Sequence, residues 1–401
     1  MKPKSIMLIA GEASGDTLGA ELVDALRREL TAAEVEYTSD SQPLHTGLEP
    51  RFFGAGGPRM AAAGVELAFD LTEHSIIGIP SPKSYLKGRQ RFHQLLRIAL
   101  ERQPDAIIGI DYNYFNLSFA HAIRQYTTRR SGWFHDWRPR LVKYISPQVW
   151  ASREDRAYQI ARDYDLLLSI FPFEKDWYAK RVPKLKVEFI GHPMVDRFVK
   201  PSVHHQSPAA NAPQILLLPG SRRKELQRHL PVMLAALKLI REKLPQSQAK
   251  IVLPDESLAE EARLLNVPPD IAIQIGNLPA ALAQSDLALA STGTVTMECA
   301  FFGVPTVTLY KTSWTTYEIG KRIVKVKSLT MPNLLAGEEV FPEFIQNDAT
   351  AENISRAALE LLQNEARRKS MKVKLAEILA SLGGPGASRR AARAITQLLE
   401  K

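Results

Sequence analysis

The sequence predicts an α/β protein built as two doubly wound, parallel-sheet domains in series. Three observations carry that prediction. Short apolar runs that read as buried parallel strands alternate with amphipathic helical stretches along most of the chain. Two of these runs, Ser5-Ile-Met-Leu-Ile-Ala10 and Ile215-Leu-Leu-Leu218, pass into glycine, a small hydroxyl residue and a helix start. Such junctions offer backbone N–H groups to an anionic ligand. Between the halves, residues 201–213 have no periodicity and contain Pro201, Pro208 and Pro213, which reads as a linker.

In chain order, strands are expected near 5–10, 51–54, 106–110, 141–145, 166–170 and 187–190. Helices are expected at 17–30, 89–102, 115–126, 153–160 and 173–180. Residues 37–50 are polar and turn-rich and read as a surface loop. After the linker the same grammar returns, with strands near 215–218, 250–253, 271–275, 287–290 and 306–309. Long amphipathic helices close the chain at 351–379, with breaks, and at 387–399. The expected domains are therefore 1–200 and 214–380, with 381–401 a C-terminal helix packing back on the first.

Composition is consistent with this plan. The chain has 401 residues, 45% apolar and 24% charged, an ordinary balance for two or three globular domains. A single cysteine, Cys299, excludes an internal disulfide framework and suits a reducing compartment. The apolar run after Met1-Lys-Pro-Lys4 is too short for a secretory leader and ends in Gly-Glu, so it reads as the first strand. No run has the length of a membrane-spanning helix, so membrane contact is expected to be peripheral. The net charge of +9 calls for an anionic partner or simply confers solubility. Its densest cluster is Lys83, Lys87, Arg89, Arg91, Arg97 and Arg102, set against one acid, Glu101. With Ile76, Ile77, Tyr85 and Leu86, the residues Lys83, Lys87 and Arg91 suit an anionic membrane surface; a helix packed on the sheet is the competing reading. Bases and aromatics form no recognisable nucleic-acid motif.

The second half carries two phosphate-competent junctions. Gly220, Ser221 and Arg222 combine N–H donors, a hydroxyl and a guanidinium at a helix entrance, which suits a diphosphate; an N-cap serine among solvated arginines is the alternative. Thr292, Gly293 and Thr294 follow a strand, and Glu298 lies just over a turn into the next helix, where a carboxylate can accept two ribose hydroxyls. A nucleoside diphosphate is the natural ligand. No segment completes Gly-x-Gly-x-x-Gly, Walker A is absent and no metal-ligand spacing occurs, so neither cofactor nor metal is expected. Two Rossmann-like domains facing across a cleft, nucleotide in the second and acceptor in the first, describe the GT-B glycosyltransferase layout.

Ten ordered segments support a closer match. They are Gly11-Glu-Ala-Ser-Gly-Asp16, Gly56-Gly-Pro-Arg-Met60, Gly109-Ile-Asp111, Phe115-Asn116, Ile145-Ser-Pro-Gln-Val-Trp150, Phe171-Pro-Phe-Glu174, Gly191-His-Pro193, Leu218-Pro-Gly-Ser-Arg222, Thr292-Gly-Thr294 with Glu298, and Pro332-Asn-Leu-Leu-Ala-Gly337. From about residue 5 to 345 the chain resembles the lipid-A-disaccharide synthases. The resemblance implies an inverting, metal-independent transfer in lipid A biosynthesis. Diacylglucosamine passes from UDP-diacylglucosamine to the 6-hydroxyl of diacylglucosamine 1-phosphate, giving the β-1,6 tetraacyldisaccharide 1-phosphate and UDP. It also implies a cytoplasmic enzyme, peripheral on the inner membrane, and leaves homo-oligomerisation open. Another GT-B UDP-sugar transferase, a UDP-sugar 2-epimerase and a basic binding protein are the alternatives.

Inversion needs a general base for the acceptor hydroxyl and positive groups for the departing diphosphate. Asp111, at the carboxyl end of the strand at 106–110, is the base candidate; an Asx-turn or helix cap is its alternative role. Glu12, Ser14 and Asp16 are assigned to the acceptor side, with Asp16 equally suited to cap the helix at 17–30. Asn116 is suited to sugar or to capping, Arg59 or Arg153 to the acceptor phosphate, and His192 to a structural hydrogen bond, with contact to the donor as its alternative. The chain departs from the family pattern at Tyr112-Asn-Tyr114, where a proline and second acid are typical, and at Ser81 and Pro82, where Glu and Val are. Residues 37–50 and 127–137 are extra. Asp111 is thus the one acid in its loop.

Overall fold

A computed structural model describes residues 3–33, 35–37, 43–45, 49–72, 82–130, 132, 136–198, 212–314, 317–318, 321 and 326–400. The chain forms two compact units, Met1–Asp196 with Leu382–Lys401, and Arg197–Ser381. The expected linker at 201–213 lies outside the described residues except for 212 and 213.

In unit 1 the strands are β1 (Ser5–Ala10), β2 (Val35–Tyr37), β3 (Pro43–His45), β4 (Arg51–Gly56), β5 (Glu66–Asp70), β6 (Ala106–Ile110), β7 (Arg140–Tyr144), β8 (Leu166–Ser169) and β9 (Lys186–Phe189). Seven make a sheet in the order β5-β4-β1-β6-β7-β8-β9, every pair parallel. Ile6 through Ala10 are completely buried, as strands covered on both faces must be. The loop expected at 37–50 is corrected in part: β2 and β3 pair antiparallel there. Strand β5 escaped notice because Glu-Leu-Ala-Phe-Asp is a half-exposed edge with little apolar run.

Two helices begin earlier than expected. Ala13–Ala33 starts inside the glycine loop, and Pro82–Arg102 starts at a proline, which suits a first helical turn. Lys83, Tyr85, Leu86 and Lys87 are therefore helical, while Ile76 and Ile77 lie outside the described residues.

The last helix, Ala387–Leu399, packs on Ala13–Ala33, β7 and β8. Its first N–H groups, on Gly386 and Ala387, donate to the Asp196 carboxylate, the latter at 2.9 Å. Arg390 Nε donates to the Ile190 carbonyl at 2.7 Å.

Unit 2 contains β10 (Gln214–Leu218), β11 (Gln248–Leu253), β12 (Ala272–Ile275), β13 (Leu287–Ser291), β14 (Thr306–Tyr310) and β15 (Glu343–Ile345). They form a parallel sheet in the order β12-β11-β10-β13-β14-β15. The break expected within 351–379 falls at Asn364, between helices Ala351–Gln363 and Glu365–Ser381; its Oδ1 accepts from Arg367 N at 2.9 Å.

Candidate functional site

In unit 1 the chain runs from β1 outward to β4 and β5, then returns to β6 on the other side of β1. Open α/β sheets bind ligands outside the carboxyl ends of the strands where order reverses in this way. Ala10 and Ile110, the last residues of β1 and β6, are register partners, so the 11–16 and 111–116 segments leave the sheet side by side.

Asp111 (φ 41°) and Tyr112 (φ 40°) are consecutive left-handed residues, each strained by roughly 1–3 kcal/mol. Asp111 N donates to the Tyr144 carbonyl at 3.0 Å. Its own carbonyl accepts from Asn116 Nδ2 at 2.9 Å and from the Lys143 ammonium. The helix Asn113–Arg129 has Tyr112, not Asp111, at its N-cap. The half-buried Asp111 carboxylate takes no hydrogen bond among the described residues. The Tyr112 ring lies over Gly11, where a Cβ would stand 2.4 Å from Cδ1, so only glycine fits beneath it.

Two acceptor-side candidates, Asp16 and Asn116, are buried and spend their polar groups on the backbone. Asp16 is 2% exposed, and its carboxylate accepts from Gly57 N, Arg59 N and Met60 N at 2.8, 2.9 and 3.0 Å. It caps helix Pro58–Ala62, from a position already inside its own helix. Asn116 is also 2% exposed, and its Nδ2 donates to Ile9 O and Ile110 O as well as Asp111 O. It ties β1 to β6 from beneath the loop. Glu12 is half-buried, while Ser14 and Arg59 are exposed. His192 plays its structural part, Nδ1 accepting from Met194 N at 3.2 Å.

Lys143 was missed by sequence reasoning. It is fully buried on β7, and burial pulls its ammonium down to about 8, with the Asp111 charge acting in the opposite sense. A lysine interrupting the apolar run 141–145 was the available signal. Beyond it, the Glu174 carboxyl is buried and pushed up to about 7, although it accepts from Trp150 Nε1 at 3.1 Å and Phe171 N at 3.3 Å.

Unit 2 repeats the reversal, with β11 and β12 on one side of β10 and β13 to β15 on the other. Leu218 and Ala290 are register partners, so the two predicted phosphate loops leave neighbouring strands together. Gly220 is left-handed at φ 120°, and a Cβ there would stand 2.6 Å from Glu225 Oε2. The N-cap of helix Arg223–Lys243 is Arg222, displacing Ser221 from that role; both are exposed. Arg222 pairs with Glu225 at 2.9 Å and Arg223 with Glu261 at 2.6 Å, so Arg222 is the cation held beside the loop. Opposite, Gly293 (φ 156°) and Thr294 are exposed, and the N-cap Thr294 makes no side-chain cap bond. Thr292 and Glu298 are half-buried; burial raises the Glu298 carboxyl, opposed by Arg197.

His229, another residue sequence reasoning missed, is fully buried beneath this loop. Its pKa is lowered, chiefly by burial. The neutral ring donates from Nδ1 to the Pro219 carbonyl at 2.9 Å and accepts at Nε2 from Lys311 N at 2.9 Å.

Comparison with known proteins agrees over the full length. The lipid-A-disaccharide synthetase family model matches residues 6–397. The lipid-A-disaccharide synthase of Geobacter metallireducens is 35% identical, over 99% of this chain and 98% of its own. That of Solibacter usitatus is 36% identical over 98% and 97%. Among solved structures, UDP-GlcNAc 2-epimerase from Neisseria meningitidis bound to UDP-GlcNAc covers all of both chains with TM-score 0.58 at 12% identity. MurG of Acinetobacter baumannii matches 98% of this chain and 100% of its own, with TM-score 0.54 at 16% identity. These structures share the fold, a pair of parallel-sheet α/β units of GT-B type. The chain belongs to the lipid-A-disaccharide synthase family of glycosyltransferases.

Proposed function

We propose that unit 2 holds UDP-diacylglucosamine through its diphosphate and ribose, and that Asp111 of unit 1 is the base in transfer to diacylglucosamine 1-phosphate. The acceptor 6-hydroxyl oxygen bonds to the anomeric carbon from the face opposite the diphosphate, and its proton passes to Asp111. The bond from anomeric carbon to phosphate oxygen breaks, its electron pair leaves with UDP, and the configuration inverts. Loop N–H groups at 220–222 and 293–295, the Ser221 hydroxyl and Arg222 stabilise the departing diphosphate; Glu298 accepts from the ribose. Glu12, Ser14 and Arg59 line the acceptor side, while Asp16 and Asn116 shape it from below.

The observation that carries this reading is the Asp111 turn: a strained loop at the switch point, clamped through its main chain, with its carboxylate taking no hydrogen bond among the described residues. Asp111→Asn is expected to lower kcat about 10³-fold while UDP affinity, measured calorimetrically, stays the same. Wild-type turnover in this variant would refute the base assignment. A 2-epimerase reading would instead require turnover of unacylated UDP-N-acetylglucosamine.

Substrates with acyl chains call for a membrane surface, here the cytoplasmic face of the inner membrane. Supporting this are Leu86, 63% exposed, and exposed Lys87 near the start of helix Pro82–Arg102. Arg91 is partly engaged by the Phe69 ring at 5.3 Å. Charge reversal at Lys83 and Lys87 is expected to weaken sedimentation with anionic vesicles; unchanged sedimentation would remove this patch as the contact.

A further inference from the structure

Lys143 is a charged residue in the middle of the unit 1 sheet. It stands between Val142 and Tyr144 on β7, fully buried, as the register partner of Gly109 on β6. Removing an ammonium from water is costly unless partners replace its hydration, and an aliphatic side chain like that of Leu141 would fill a strand position without this cost. The ammonium has a definite destination: it donates to the main-chain carbonyl of Asp111. Asn116 Nδ2 reaches the same oxygen at 2.9 Å. Gly109 makes room for the convergence, because a Cβ there would stand 3.0 Å from both Cβ and Cγ of Asn116. With Asp111 N bound to the Tyr144 carbonyl at 3.0 Å, both peptide groups of Asp111 are clamped, two of the three contacts coming from β7. Consecutive left-handed residues persist only where their surroundings over-determine them, and these contacts supply that constraint.

We propose that Lys143 is a positioning residue for glycosyl transfer, its buried ammonium holding the Asp111 carbonyl so that the left-handed turn presents the Asp111 carboxylate in one orientation. The proposal rests on Asp111 being the base. Burial lowers the Lys143 pKa to about 8, and Asp111 is the charged group that acts against this shift. The ammonium is the working form, so turnover falls as pH rises through that value.

The test compares kcat, KM, UDP affinity and pH–rate profiles of the wild type, Lys143→Met, Lys143→Gln and Asp111→Asn. The wild type should lose kcat above a basic limb near pH 8. Lys143→Met should lower kcat roughly 10–100-fold, as expected for a displaced catalytic group, with KM within about twofold. It should lack the limb and melt no lower than the wild type, since an apolar isostere replaces a buried charge. Lys143→Gln restores a donor without the charge; it should recover part of kcat and also lack the limb. If Lys143→Met does not fold, Lys143→Gln and the wild-type limb decide. Wild-type kcat and pH profile in both variants, or lost turnover with the limb retained, overturns the positioning role. If that occurs while Asp111→Asn is inactive and still binds UDP, the base assignment survives alone. If Asp111→Asn turns over normally, both fall.

Discussion

Three aspartates, Asp16, Asp111 and Asp196, show how environment divides one residue type into different tasks. Asp16 and Asp196 give their carboxylates to backbone N–H groups at helix starts, an arrangement that neutralises unsatisfied donors and favours negative charge. Asp111 instead gives its main chain to its neighbours and keeps its carboxylate unbound among the described residues. His229 does related work under the candidate diphosphate loop, joining the Pro219 carbonyl to Lys311 N across the carboxyl ends of β10 and β14. His229→Leu removes this partner from the buried Pro219 carbonyl and the half-buried Lys311 N, about 1–3 kcal/mol, and loosens the loop. UDP is expected to bind roughly tenfold more weakly with Asp111 chemistry unaffected; an unchanged Kd by calorimetry would show that the loop holds itself.

The elements were legible to different degrees. Strands β1, β6, β10 and β13 announced themselves because a buried parallel strand is a continuous apolar run. The edge strands β5 and β15 did not: Glu66–Asp70 and Glu343–Ile345 mix charged and apolar residues and are only partly covered. The helix Ala387–Leu399 was legible as an amphipathic segment expected to return to the first domain, although its own period does not name the surface it covers. It buries Ala391, Ala392, Ile395 and Leu398 within unit 1, against the first helix of the chain. Each large apolar side chain so covered contributes about 1.5–3 kcal/mol, a substantial part of a domain's margin of roughly 5–15 kcal/mol. Truncation after Ser381 is therefore expected to leave unit 1 open to proteolysis while a fragment containing 197–381 persists. Equal protease resistance of both units in the truncated chain would contradict this.

At the scale of the molecule, one topological device is used twice, once in each unit. Each sheet starts near its middle, grows to one edge, returns past its first strand and grows to the other. The reversal leaves a crevice beyond the carboxyl ends of the paired strands β1 and β6 in one unit and β10 and β13 in the other, and both pairs of candidate loops open there. Sequence alone determined the two α/β domains, the glycine loops after β1 and β10, the Thr-Gly-Thr segment with Glu298, Asp111 as an acid without a second beside it, and the family. These are local properties: apolar period, turn chemistry and ordered motifs. Tertiary structure alone decided that Asp16 and Asn116 are buried beneath the loops that follow β1 and β6, that Lys143 reaches the Asp111 carbonyl, and that His229 joins Pro219 to Lys311. Those outcomes depend on strand order and register, which bring residues 32, 41 or 82 positions apart into contact. Pairing over such distances is set by packing the whole sheet, and no local pattern encodes it.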